Sequence, residues 1–275
     1  MKLSQAYKKA QECLKNQGAD YISDARFLLT SFIDKDFSYM LLHPDEEIDF
    51  AEFEKLLEKR LAGVPVQYIT GFTEFMGLKF KVNENVLVPR QDTEILVETV
   101  ISLKKESPDI LDVCTGSGCI IISLLKYIKD SNGTAIDVSE KALNIAKQNA
   151  KGNGTDISFI REDVLKLESF DKKYDVIVSN PPYIETNVIE TRDEKVKNYE
   201  PKIALDGGGD GLLFYRKITG LAKNALNKDG YLLYEIGYNQ GEKVKKIMSE
   251  KGFSDVLIIK DYQGNDRVVY GKAGF

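Results

Sequence analysis

Histidine is nearly missing from this chain: among 275 residues it occurs once, at His43, and cysteine occurs three times, at Cys13, Cys114 and Cys119. A lone histidine beside Pro44, in the N-terminal third, argues against a Ser/His/Asp or Cys/His catalytic system and fits a helix end. The same scarcity leaves a zinc site short of ligands, and an odd cysteine count in a chain too long to need staples argues against a disulfide framework. No apolar run approaches the roughly eighteen residues of a membrane span. Met1-Lys2-Leu3-Ser4-Gln5 opens a charged amphipathic segment rather than a signal peptide, so a soluble cytoplasmic protein is expected, with no membrane partner. A basic excess is also lacking: the net charge is −5 and the pI near 5.3. Affinity for nucleic acid comes largely from phosphate contacts made by a basic face. Lys104-Lys105, Lys172-Lys173 and Lys243 with Lys245-Lys246 read as solvated faces, which lowers the expectation of a stable nucleic-acid partner.

What is present suits one large domain with a smaller companion, at an ordinary 43% hydrophobic content. Leu3, Ala6, Tyr7, Ala10, Cys13 and Leu14 recur at helical spacing, as do Tyr21, Ala25, Leu28, Leu29 and Phe32. Gly18 separates these stripes. A third segment spans Phe37 to Leu42, and Phe53, Leu56, Leu57 and Leu61 mark a fourth that ends before Gly63. Residues 1–63 therefore read as a small helical bundle with Cys13 in its buried stripe. Residues 64–92 change period: Phe72 to Phe75 and the alternating Leu78, Phe80 and Val82 flank Met76-Gly77, the pattern of a β-hairpin linker. Asp92 or Thr93 is the expected N-cap of a helix from Ile95 to Leu103.

Residues 93–275 form the larger domain, and from Asp109 strands and helices alternate as in a doubly wound sheet. The expected strands are Ile110 to Cys114, Thr134 to Val138, Ile157 to Ile160, Tyr174 to Ser179, Tyr231 to Ile236, Val256 to Asp261 and Arg267 to Tyr270. Helices are expected at Cys119 to Ile128, Glu140 to Lys151, Leu212 to Leu226 and Gln240 to Glu250. Only Tyr262 to Asp266 separate the last two strands, too few for a parallel crossover, so the seven-stranded sheet is mixed, with helices on both faces.

Four strand ends carry polar residues suited to chemistry. Asp112-Val-Cys114-Thr115-Gly116-Ser117-Gly118 leaves the first strand with glycines that permit a tight turn, but Ile121 stands where a dinucleotide fingerprint has its third glycine. Asp137 ends the second strand and could take both hydroxyls of a ribose. Asp163, beyond the third, could accept from an adenine amino group. Either acid alone also reads as a helix cap or a surface charge. The fourth strand ends in Asn180-Pro181-Pro182-Tyr183, where two prolines stop the ladder and stiffen the exit. Asn180 Oδ1 and a proline carbonyl could hold the two hydrogens of a planar NH2, and Tyr183 could stack on its plane. Those four residues alone read equally as an incidental asparagine before a Pro-Pro loop.

Together these features resemble class I S-adenosylmethionine-dependent methyltransferases that act on planar nitrogens. Nearly the full length is similar to the PrmC/HemK family, the glutamine methyltransferases of peptide chain release factors. Segments carrying the likeness are Asp24-Ala25-Arg26, Pro65 to Gly71, Pro89-Arg90 with Asp92-Thr93-Glu94, Asp112 to Gly118 and Asn180 to Tyr183. Others are Glu200-Pro201, Ala204-Leu205, Gly207-Gly208, Asp210 to Leu212, Glu235 with Gly237 and Gln240, and Asp261 with Gly264 and Arg267. Cys114 departs from the family, which more often has glycine there, and Val164 replaces a larger apolar or aromatic residue. The resemblance implies a Rossmann-like fold and a cofactor, S-adenosyl-L-methionine (product S-adenosyl-L-homocysteine), held by Cys114, Thr115, Gly116, Ser117, Gly118, Asp137, Asp163, Val164 and Asn180. It implies a substrate glutamine in the Gly-Gly-Gln loop of bacterial class 1 release factors, bound by Asn180, Pro181, Pro182 and Tyr183, with Asn180 and Tyr183 catalytic. It also implies that the bundle grips the release factor and places its loop in a cleft between bundle and sheet. A monomer is expected. The tetrad alone would serve equally a nucleic-acid methyltransferase acting on an exocyclic amino group, or the chain could bind the cofactor without activity.

Overall fold

The computed structural model describes residues 1–18, 20–191 and 199–274. The chain divides into two compact units, Met1–Phe72 and Thr73–Phe275. Among the described residues no helix is long and apolar enough to cross a membrane.

The first unit contains α1 (Leu3–Leu14), α2 (Tyr21–Ile33), α3 (Phe37–Leu42), α4 (Phe50–Leu61) and α5 (Val66–Thr70). Leu3, Ala6, Ala10 and Leu14 of α1 meet Ala25, Leu28 and Leu29 of α2 and Phe53 and Leu57 of α4 in one buried cluster. Asp36 and Asp49 cap α3 and α4 by accepting from backbone N–H groups of the first turn. His43 is the C-cap of α3, with Nδ1 3.0 Å from the Tyr39 carbonyl. Cys13, expected in the buried stripe, is exposed, because the core line runs from Ala10 to Leu14 and leaves residue 13 on the flank. The five-residue α5 was not expected from the sequence; Pro65 precedes it and Gly71, at φ 80°, ends it, so it is too short to show a period.

β1 (Phe72–Phe75), which begins at the last residue of the first unit, and β2 (Leu78–Lys81) form the expected hairpin. Met76 (φ 50°) and Gly77 (φ 68°) both adopt positive φ, the requirement of a type I′ turn. A 3₁₀ turn, Gln91–Thr93, then leads into α6 (Glu94–Ser102). Thr93 precedes that helix as expected, yet its hydroxyl caps nothing and is used elsewhere.

The remaining elements are β3 (Asp109–Val113), α7 (Cys119–Tyr127), β4 (Asn132–Asp137), α8 (Glu140–Asn153), β5 (Ile157–Arg161), β6 (Tyr174–Ser179), α9 (Thr186–Thr191), α10 (Leu213–Ala225), β7 (Leu226–Glu235), α11 (Gly241–Glu250), β8 (Phe253–Lys260) and β9 (Asp266–Ala273). The seven strands lie in the order β5-β4-β3-β6-β7-β9-β8, all parallel except β9. Both faces are covered. Ile110, Val176, Val178 and Leu233 pack with α6 and α7, whereas Leu111, Val113, Ile177, Leu232 and Tyr234 pack with α10 and α11. The seven-stranded mixed sheet is thus as expected, with strand ends moved by a few residues. β7 begins five residues early, at Leu226, where the pairing with β6 shifts register between Tyr174 and Val176. Cys114 falls outside β3.

One strand residue is out of keeping with these apolar faces. Asp112 of β3 is fully buried, and burial pushes its carboxyl up to about 7, against a downward pull from Thr115, whose hydroxyl donates to Oδ2 at 2.6 Å. An unfolded aspartate titrates near 3.8, so the folded state holds the extra proton and loses stability as pH rises from about 4 to about 7. The loss is on the order of 4 kcal/mol. Asp112→Asn keeps an acceptor for Thr115 and removes the charge. The variant should gain stability relative to the parent between pH 5 and pH 8, read from urea midpoints; an identical difference at both pH values would refute the assignment.

Candidate functional site

Because β3, β4, β6 and β7 run parallel, their carboxyl ends share one edge of the sheet, where loops of different origin converge. The chain leaves β3 through Cys114, whose φ of 64° lies in the left-handed region. A non-glycine residue there is strained by on the order of 1 kcal/mol, a cost that glycine would not carry at this place. The next residues turn into α7. Beside Gly116 (φ 55°) there is open space where a Cβ would point, and the residue lines a cleft. Gly118 plays another part: a Cβ there would lie 3.1 Å from Ala146 Cβ, so its smallness lets α7 approach α8. Asn149 of α8 fixes the loop from behind, donating to the Ser117 carbonyl at 2.9 Å and bonding the backbone of Lys81 in both directions.

The cleft is walled by Cys114, Thr115, Gly116 and Ser117, by Asp137 and Val138, by Asp163, Val164 and Leu165, and by Asn180 and Pro182. Phe214 and the segment Asn85–Arg90 complete much of the rest. Asp137 accepts from the Gly116 N–H at 2.9 Å through Oδ2 and from the Ser139 N–H at 2.8 Å through Oδ1. Burial raises its pKa, and these N–H groups oppose the rise. Each oxygen retains a lone pair, enough for two hydroxyls of a ribose. Asp163 accepts from Leu165 N–H at 3.1 Å and pairs with Lys166 at 3.1 Å. Val164, Leu165 and Phe214 supply an apolar wall for a flat base. Open space beside a backbone turn, an acid with spare acceptors and an apolar slot fit a nucleoside cofactor. Among the described residues no group of three or more His, Cys, Asp or Glu side chains is arranged to hold a metal.

Across the cleft Asn180 follows β6. Its Nδ2 lies 3.4 Å from Thr93 Oγ1, which is where the uncapped hydroxyl of the 3₁₀ turn is directed. The loop beyond is braced from several sides. Gln240 donates to the Tyr183 carbonyl at 2.9 Å, and Ile184 exchanges backbone hydrogen bonds with Leu205 and Gly207. Nine of the site residues expected from the sequence therefore line one cleft: Cys114, Thr115, Gly116, Ser117, Asp137, Asp163, Val164, Asn180 and Pro182. Gly118, Pro181 and Tyr183 are not among its lining residues; Tyr183 packs instead beside Ile184, Ile189 and Leu205.

Sequence reasoning missed Thr93 and Glu235 as neighbours of Asn180, Asn149 as a brace, and three ion pairs. Arg90 pairs with Glu200, whose side chain is 5% exposed. Arg267 joins Asp92 at 3.0 Å and Asp261 at 3.1 Å. All five ion-pairing acids and bases of these groups stood in the family-like segments, with nothing in their spacing to say which would meet.

Comparison with known proteins agrees with the geometry. The methyltransferase small domain family matches residues 90–198, and the PrmC N-terminal domain family matches residues 5–71. The release factor glutamine methyltransferase of Clostridium botulinum is 43% identical, over 90% of this chain and 91% of that protein. That of Clostridium acetobutylicum is 38% identical over 100% and 99%. A solved methyltransferase structure from Pyrococcus furiosus shares the fold at a TM-score of 0.53 and 20% identity, covering 72% of this chain and 90% of that one. With such identity along nearly the whole of both chains, the protein belongs to the release factor glutamine methyltransferase family.

Proposed function

We propose that this chain transfers the methyl group of S-adenosylmethionine to the side-chain amide nitrogen of the glutamine in the Gly-Gly-Gln motif of class 1 peptide chain release factors. The observation that carries this reading is that Asn180 shares a cleft with Asp137 and Gly116. An acceptor for a planar NH2 thus stands beside a nucleoside-type pocket. The bound cofactor supplies a methyl group on a cationic sulfur, already activated for attack. The protein's task is to aim a weak nucleophile. Asn180 Oδ1 and the Pro181 carbonyl would each hold one amide hydrogen, and Tyr183 would stack on the amide plane. Such positioning can lower a barrier by on the order of 7–11 kcal/mol, without histidine or metal. The amide proton is lost after attack, to water or a nearby acceptor.

In this reading Asp137 would hold the ribose hydroxyls, Asp163 and Val164 the adenine, and the turn from Cys114 to Gly118 would contact the cofactor as well. Residues 1–63 recognise the release factor, 64–92 form the linker and 93–275 the methyltransferase domain. The enzyme acts as a cytoplasmic monomer on a protein and not on nucleic acid. A net charge of −5 supports that choice of substrate.

The direct test offers labelled S-adenosylmethionine with release factor, ribosomal RNA and duplex DNA in parallel, followed by peptide mapping. Label is expected on the Gly-Gly-Gln glutamine; label confined to nucleic acid would overturn the substrate. Asn180→Ala should abolish transfer and leave cofactor binding largely intact by calorimetry, and near-normal turnover would sink the mechanism. Asp137→Ala should do the reverse, weakening cofactor binding about ten- to hundredfold through two lost charge-assisted hydrogen bonds. Unchanged affinity in that variant would remove Asp137 from the pocket.

A further inference from the structure

Asparagine can present either its oxygen or its NH2 to a substrate, and the two arrangements have the same shape. Only the one with Oδ1 in the cleft accepts a hydrogen bond from an amide NH2. The surroundings of Asn180 therefore decide what it can hold. Parallel register sets Ser179 of β6 opposite Tyr234 of β7, so Asn180 and Glu235 leave the sheet as neighbours. Glu235 is 3% exposed, and its Oε2 has no partner at hydrogen-bond distance among the described residues. Thr93 and Asn180 stand near enough to this carboxyl group to favour its charged form. Thr93 Oγ1 is in turn the acceptor for Asn180 Nδ2 at 3.4 Å.

A carboxylate has no hydrogen to give. With Glu235 ionised, the Thr93 hydroxyl hydrogen turns to Glu235, and its oxygen is left as an acceptor. Asn180 then faces two acceptors on its protein side and must turn Nδ2 toward both. We propose that Glu235, acting through Thr93 and Asn180, is a positioning residue that locks Asn180 Oδ1 toward the cleft and so selects substrates that donate from a planar NH2. This deepens the reading of the site given above and rests on it.

The charged and titratable groups around Glu235 come from each element packed on it: Arg267 of β9, Asp92 of the 3₁₀ turn, Tyr215 of α10 and Cys119 of α7. Burial pushes the Glu235 carboxyl up to about 7, while Thr93, Arg267 and Asn180 pull it down and Asp92 adds to the rise. Below that pH the group becomes an acid with a hydrogen of its own, and the amide is free to turn over. In the parent enzyme kcat should therefore fall as pH drops through about 7, with KM for release factor little changed.

The experiment compares full-length parent, Glu235→Gln, Thr93→Val and Thr93→Ser, each checked for cofactor binding by calorimetry. Glu235→Gln carries both a donor and an acceptor and satisfies Asn180 either way round. Its kcat should fall about tenfold and lose the limb near pH 7, with cofactor Kd and release-factor KM within about twofold. Thr93→Val should lose kcat similarly, and Thr93→Ser should restore it. The Glu235 carboxyl carbon, followed by 13C NMR and assigned by its absence in Glu235→Gln, should titrate near 7. Normal kcat in both Glu235→Gln and Thr93→Val, or a limb near pH 7 that survives in Glu235→Gln, would overturn the proposal. Should Glu235→Gln fail to bind cofactor, the Thr93 pair decides: loss in the valine variant without rescue by serine also overturns it. A parent enzyme that leaves the glutamine unlabelled would instead refute the function, independently of these variants.

Discussion

The register between β6 and β7 is the constraint on which the site depends. Val176, Ile177, Val178 and Ser179 stand opposite Tyr231, Leu232, Leu233 and Tyr234, so the next residues, Asn180 and Glu235, emerge together. A slip of one residue would exchange the two faces of β7 and drive the Glu235 carboxyl into the apolar cluster that now holds Tyr234. The aromatic pair on that face resists such a slip. Tyr215 and Tyr234 meet edge to face with ring centres 5.1 Å apart, and the Tyr215 hydroxyl donates to the Glu235 carbonyl at 3.0 Å. Packing on one face thus fixes the chemistry displayed at the strand ends.

The cost of this arrangement is visible in its acids. Asp112 and Glu235 are both fully buried and both pushed up to about 7 by burial. Neither improves folding above neutral pH, and a buried charge is poor grounds for stability. Each instead orders a neighbour: Asp112 takes the Thr115 hydroxyl at the turn after β3, and Glu235 faces Thr93 and Asn180 on the opposite wall. The nearby guanidinium of Arg267 is tied to Asp92 and Asp261, which keeps a cation close to Glu235 without neutralising it directly.

Much of this was legible in the sequence, for reasons of period and position. Alternating β and α segments fix a parallel sheet, a parallel sheet fixes where strand ends gather, and Asp137, Asp163 and Asn180 could be placed by counting from those ends. Pairings over long distances were not legible. Arg90 and Glu200 lie 110 residues apart, and Thr93 reaches Asn180 across 87. Hydrophobic period reports which face of an element is buried, and it says nothing of which polar groups will meet. Thr93 was misread for that reason: as a residue before a helix it has the form of a cap, but its hydroxyl is claimed by a tertiary partner. Cys13 was misread for the opposite reason, since a stripe traced on spacing alone was wider than the face that the neighbouring helices cover.

In the proposed reaction the identity of residue 180 follows from the same electrostatics. Aspartate would also offer acceptors for an amide NH2. It would stand beside Glu235, with Asp92 close behind, and two carboxylates in one poorly solvated place cannot both ionise near neutral pH. There is a second reason. Methyl transfer from a cationic sulfur consumes the positive charge, so a carboxylate beside it would stabilise the reactants more than the transition state, and only differential stabilisation accelerates the step. Asparagine supplies the acceptor without the charge. Its weakness is that its two ends are alike in shape, and a buried carboxylate at its back is the simplest means of telling them apart.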